Sequence, residues 1–214
     1  FDLVERITIT DDVSIDAIGA PSVGSTESIS VTDVVDVRVL PSSKVYVGAA
    51  LAPTLGVFDP DLTSLGSVTT SGQVGRAVRR PGSDEIWVVE REGDNLDSLT
   101  VVDAITDTRV AALYSQVLDP IALDFDAAGA TAAVADNNAD RFVVFDAETR
   151  TRIGPSITDF GIPRLTDIQL SADGSTAWVA GNNIARVDVP SRTALGLGPV
   201  GGVTFASEAV LTPA

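Results

Sequence analysis

The chain has 214 residues, 14 Lys+Arg against 30 Asp+Glu for a formal charge of −16, and 44% apolar residues. It contains no His and no Cys, which excludes Ser-His-Asp and Cys-His catalysis, His or Cys metal sites and disulfides. So acidic a balance also argues against nucleic acid or an anionic membrane surface as partner, because both need a basic face.

The first elements in chain order are a pair of alternating segments. Glu5-Arg-Ile-Thr-Ile-Thr-Asp11 matches Glu27-Ser-Ile-Ser-Val-Thr-Asp33 at an offset of 22 residues, and both alternate apolar with polar side chains as half-buried strands do. The Gly- and Ser-containing stretch 16–26 between them reads as a loop. Residues 1–34 are thus expected to form a Thr/Ser-rich strand repeat or linker, whose second copy leads into the next element and could supply it with a closing strand.

From residue 35 a longer block recurs four times. It opens at 35–48, 76–89, 121–135 and 166–180 with two alternating strands around a polar turn. The turns are Pro-Gly-Ser-Asp at 81–84, Ala-Ala-Gly at 127–129 and Ala-Asp-Gly at 172–174, all good hairpin signals. The second strand carries Tyr46, Trp87, Ala133 or Trp178 at one position, at spacings of 41, 46 and 45 residues. A third strand ends at Asp59, Asp103, Asp146 and Asp188, spaced 44, 43 and 42. Fourth strands follow at 64–70, 108–114, 151–157 and 192–198.

Four short strands per repeat of this length predict an all-β chain built as a β-propeller. The blades fall at about 35–75, 76–120, 121–165 and 166–200, with 201–214 beginning a fifth blade or serving as a closing strand. The start at Phe1, the lack of Met and the unfinished fifth repeat favour an arc of a larger propeller over a ring closed within these residues. The aromatic position is expected to pack between blades. Asp103/Thr106, Asp146/Thr149 and Asp188/Ser191 suit Asx-turns, in which a carboxylate accepts backbone N–H groups two or three residues on.

The runs Trp178-Val-Ala-Gly-Asn-Asn and Ala133-Val-Ala-Asp-Asn-Asn, each followed by a strand ending in Asp, resemble YVTN-type β-propeller repeats. Pro120 and Pro163, opening the following blades, fit the same pattern. Gly48-Ala-Ala and Glu90-Arg-Glu depart from the Asn-rich turn, and Ala133 departs from the aromatic. The resemblance covers about residues 35–210. It implies the fold and a secreted or cell-surface setting, and no single activity.

Two groups of residues are candidates for binding. Asp136, Asn138 and Asp140 place oxygen side chains at alternate positions, as calcium loops do. Arg141 and Ala147 stand where an EF-hand has Gly and Glu, so only a looser Ca²⁺ site remains. Glu90, Glu92, Asp94 and Asp97 form a second acidic loop of the same kind. At the mouth of the propeller channel, Arg76, Asp124, Arg164 and Asp167 are candidate ligand-binding residues, since two Arg there would suit a carboxylate or phosphate. No catalytic residue stands out, and no cofactor is implied beyond that candidate Ca²⁺.

The expected function is therefore a non-catalytic scaffold or interaction surface of an extracellular or cell-surface protein. Its partners would be another protein or further blades, with self-association through open blade edges. The alternative is a fragment of a lactonase-like or other metal-assisted propeller hydrolase. No apolar run reaches the roughly 20 residues of a membrane span, so membrane insertion is not expected.

Overall fold

A computed structural model of the chain describes residues 44–48, 52–91, 98–113, 116–137, 140–158 and 161–199. The chain divides into units 1–40 and 41–214, and every described residue belongs to the second. The strands expected at 1–40, the acidic residues 92–97, Asn138 and the 200–214 segment lie outside the described residues.

The described residues are all-β and form antiparallel meanders in chain order. The first sheet holds β1 (Val45–Gly48), β2 (Thr54–Phe58) and β3 (Ser64–Thr69). The second holds β4 (Gln73–Arg79), β5 (Glu85–Arg91), β6 (Ser98–Asp103) and β7 (Thr108–Ala112). The third holds β8 (Pro120–Phe125), β9 (Thr131–Asp136), β10 (Arg141–Asp146) and β11 (Thr151–Arg152). The fourth holds β12 (Asp167–Leu170), β13 (Thr176–Ala180), β14 (Asn183–Asp188) and β15 (Thr193–Pro199). Successive sheets pack face to face, and the first strands β4, β8 and β12 are neighbours. This is the blade arrangement of a β-propeller. The first sheet has three strands among the described residues, and the strand expected at 35–40 lies outside them.

The repeat arises from local chemistry. The hairpins between first and second strands turn through Gly82, Gly129 and Gly174 at φ of 67°, 67° and 69°, a region glycine enters without a Cβ penalty. Each third strand ends in the expected Asx-turn. Asp103 Oδ1 accepts N–H from Ile105 and Thr106, Asp146 Oδ1 accepts that of Thr149, and Asp188 Oδ1 that of Ser191, all at 2.8–2.9 Å. Asp59 makes the variant bond to Thr63 N at 2.7 Å. A hydroxyl pair then closes the turn in three blades: Thr106–Thr108, Thr149–Thr151 and Ser191–Thr193, each 2.7 Å apart.

Apolar side chains gather in three layers, one at each joint between blades. Leu55, Val57 and Val68 meet Val74, Ile86 and Val88 at the first joint. At the second, Trp87 lies on the third blade, its ring edge-on to Phe125 (5.5 Å between centroids) and Phe145 (6.0 Å). At the third, Ala133 occupies the aromatic position, and Phe142 and Ile157 fill the layer beside Ile168 and Val179.

Two expectations need correction. The fourth strand of the third blade is only two residues long, because Gly154 turns at φ 63° and Pro155 has no N–H to give; pairing resumes as a single bridge between Ile157 and Phe142. Of the three aromatics, only Trp87 is fully buried, whereas Tyr46 and Trp178 are half-buried. Tyr46 keeps its hydroxyl at the rim, where it donates to Asp107 Oδ1 at 2.6 Å. No described blade follows the fourth to cover Trp178.

Candidate functional site

The register places Arg76, Ala122 and Asp167 at one level of three successive first strands, since their partners on the second strands are Val89, Ala135 and Ala180. From this level Arg76 Nη1, on the second blade, meets Asp167 Oδ1, on the fourth, at 2.6 Å. The Asp167 side chain is fully buried and that of Arg76 is 32% exposed. Asp124 lies two residues further along β8, and its Oδ2 accepts the Leu170 N–H at 2.7 Å. Burial raises the Asp124 pKa above the ordinary carboxylate value; hydrogen bonds from Leu170 and Phe125 and the Arg76 charge pull the other way, and Asp167 adds to the rise. Three of the four expected mouth residues therefore form one cluster.

Arg164 stands apart from them. It is exposed in the loop before β12, at φ 57°, and its backbone N–H donates to Asp140 Oδ1 at 2.7 Å. Among the described residues no contact ties its guanidinium to the other three.

Asp136 closes β9 as a fully buried carboxylate. It accepts the backbone N–H groups of Leu118 (2.9 Å) and Asp119 (3.1 Å), and Arg141 Nε and Nη2 reach its Oδ2 at 3.0 and 2.7 Å. These bonds fasten the loop entering the third blade to the end of its second strand. Asp140 is spent on Arg164 N, and Asn138 is outside the described residues. Among the described residues, no three acidic side chains converge as a metal site requires.

The residue three beyond the aromatic position receives the entering loop in the second, third and fourth blades, a role the sequence reading missed. In the second blade it is Glu90, fully buried, taking Ser71 N–H at 3.0 Å and the Ser98 hydroxyl at 2.5 Å. In the fourth it is Gly181, where a Cβ would lie 2.6 Å from Ile162 Cγ2 and 2.7 Å from the Arg164 carbonyl. The entering loop is tied by a carboxylate in two blades and packs directly on the backbone in the last. The signal available in the sequence was this shared offset of three from Trp87, Ala133 and Trp178.

The strand-three turns also reach backward to the preceding blade. Asp107, Arg150 and Arg192 occupy one turn position, at φ of 53°, 56° and 59°. Asp107 takes Lys44 Nζ at 2.7 Å, Arg150 Nη2 meets Glu85 Oε1 at 2.5 Å, and Arg192 donates to the carbonyls of Ile153 and Pro155. Burial opposes ionisation of Glu85, but its bonds from Arg150, Trp87 Nε1 and Arg80 outweigh this and hold its pKa below the ordinary value. The charges at the first and second joints are reversed in sign, so joining the first blade to the third would set Lys44 against Arg150.

No family model matches the chain, and no curated protein matches it. Its fold is widely shared, with 1004 matching chains among solved structures. One is Kuenenia stuttgartiensis hydrazine synthase, similar at a TM-score of 0.65 and 17% identity over 74% of this chain. The match spans 46% of the hydrazine synthase chain. At that identity the likeness carries the fold alone, and it agrees with the blades described above.

Proposed function

We propose that this chain is a non-catalytic propeller domain of a secreted or cell-surface protein, presenting its blade faces to a protein partner or to further blades. The observation that carries this reading is how the candidate polar groups are used. Arg76 and Asp167 neutralise each other, Asp124 holds a neighbouring strand, and Asp136 and Glu90 hold loops. A hydrolase needs a carboxylate free to move a proton or bind a metal at an open site, and these carboxylates are engaged in holding the blades.

The test is a hydrolysis assay on γ- and δ-lactones with Ca²⁺, Mg²⁺, Mn²⁺ or Zn²⁺ supplied in turn. The expected result is the buffer rate with every ion. Turnover that disappears in Asp124→Asn would overturn the reading in favour of a metal-assisted hydrolase. The cellular setting is tested separately by fractionating source cells with an antibody to the domain. Protein in the medium or at the surface is expected, and confinement to the cytoplasm would contradict it.

A further inference from the structure

We infer that Arg152 and Arg192 form a binding site for a divalent oxyanion, a phosphate or sulfate group, at the rim of the joint between the third and fourth blades. The inference starts from what the other two joints have at the same place. There the latch residue of the following blade, Asp107 or Arg150, meets an opposite charge two residues before the aromatic position, Lys44 or Glu85. At the third joint the same two positions hold Arg192 and Thr131. The cation is present and its counter-charge is missing.

Arg192 turns instead to the loop that follows β11. Its Nη2 donates to the Ile153 carbonyl at 2.8 Å and its Nη1 to that of Pro155. The guanidinium lies against Gly154, where a Cβ would come within 2.8 Å of its Cζ. Arg152 grips the same four residues, its Nε donating to the Gly154 carbonyl at 2.9 Å and its Nη2 to the Ser156 hydroxyl at 2.8 Å. Two guanidiniums thus converge on one short loop, and every bond they make there goes to a neutral oxygen. A guanidinium has several N–H donors to spare after two bonds. Here Arg152 Nη1 and Arg192 Nε make no bond among the described residues.

The charge around the loop is unbalanced. Arg141 is a third cation near Arg152, and it takes up Asp136 through Nε and Nη2. Burial first, and then the charges of Arg141 and Arg192, lower the Arg152 pKa from its ordinary value, with Asp136 pulling the other way. Among the described residues no salt bridge joins Arg152 or Arg192 to a carboxylate, although the chain has 30 acids for 14 bases. A pair of guanidinium forks suits the oxygens of phosphate or sulfate, and a dianion would offset two uncompensated charges. Ile153, Gly154 and Pro155 are exposed, and the site lies between two described blades.

The inference concerns no reaction, so the lactone assay leaves it untouched. Titration calorimetry of the full chain in low-salt buffer tests it, with inorganic phosphate, sulfate and acetate as probes. Saturable binding of phosphate and sulfate at one site per chain is expected, with acetate far weaker. Arg152→Gln should weaken binding at least about tenfold, the scale of one lost charge-assisted hydrogen bond. Arg152→Lys keeps the charge without the fork and should fall between; thermal melts show that both variants fold. Arg79→Gln removes one charge from a side chain 65% exposed on the second blade and should bind as wild type does. Phenyl phosphate separates the sources: binding like that of phosphate marks a site for an ester carried by a larger ligand, and exclusion marks a site for the free ion. No saturable binding to wild type, acetate bound as tightly as phosphate, undiminished affinity in Arg152→Gln, or an equal loss in Arg79→Gln would each overturn the inference.

Discussion

Single carboxylates set much of the local geometry, and two of them make contrasting predictions. Asp173 caps the turn of the fourth blade by accepting the Ser171 hydroxyl, the Ser175 N–H and the Ser175 hydroxyl. These bonds, with the Ser171 bond the largest influence, lower its pKa from 3.8 to about 2. A carboxylate held below its unfolded value contributes stability above that value and loses it as pH falls through the folded one. Asp173→Asn should therefore be less stable than wild type at neutral pH, and the gap should close between about pH 4 and pH 2. Denaturant melts over that range check it; a gap that persists unchanged at pH 2 would refute it. Asp136 works through burial. Asp136→Ala strands two backbone donors and the Arg141 guanidinium, so a loss of roughly 3–5 kcal/mol is expected, as for breaking a buried charged pair. A loss below about 1 kcal/mol, the scale of an exposed pair, would mean that the entering loop does not depend on this carboxylate.

The unit at the next scale is the joint between blades, where an aromatic on one second strand lies on the face of the following blade. Trp87→Ala empties a fully enclosed site against Phe125 and Phe145 and should cost about 3–5 kcal/mol. Trp178→Ala, at the equivalent position but only half-buried, should cost about 1–2 kcal/mol, because less apolar area returns to water. Equal losses would show that the two indoles are equally enclosed. The period-two strands, the glycine hairpins and the Asx-turns were legible because each depends on residues within a few positions of one another. The shortened β11 was legible too, in the Gly154-Pro155 pair, had the breaker been weighed above the repeat. The roles of Glu90 and Asp136 were marked only by their shared offset of three from Trp87 and Ala133, since their partners are backbone N–H groups of loops 17 to 19 residues away. The Arg76–Asp167 pair, which spans 91 residues and joins two blades that are not adjacent in sequence, was not legible. The grouping of Arg76, Asp124 and Asp167 near the first strands was readable from blade alignment, while their commitment to one another was not.

At the scale of the whole molecule, identical architecture at each joint is combined with different chemistry. Lys44 with Asp107, Glu85 with Arg150, and Arg192 on backbone carbonyls give each joint its own latch, so the order of blades is written into side chains as well as into the chain. Trp178, on the last described blade, is half-buried where Trp87 is fully enclosed. The central claim is that the blades stack in series, with Trp87 sealed inside a joint and Trp178 half-buried on the last described blade. Acrylamide quenching of the two single-tryptophan proteins, Trp87→Phe and Trp178→Phe, tests it most directly. Fluorescence from Trp87 should be blue-shifted and nearly unquenched, while that from Trp178 should be more readily quenched. Two tryptophans quenched alike would contradict the serial stack.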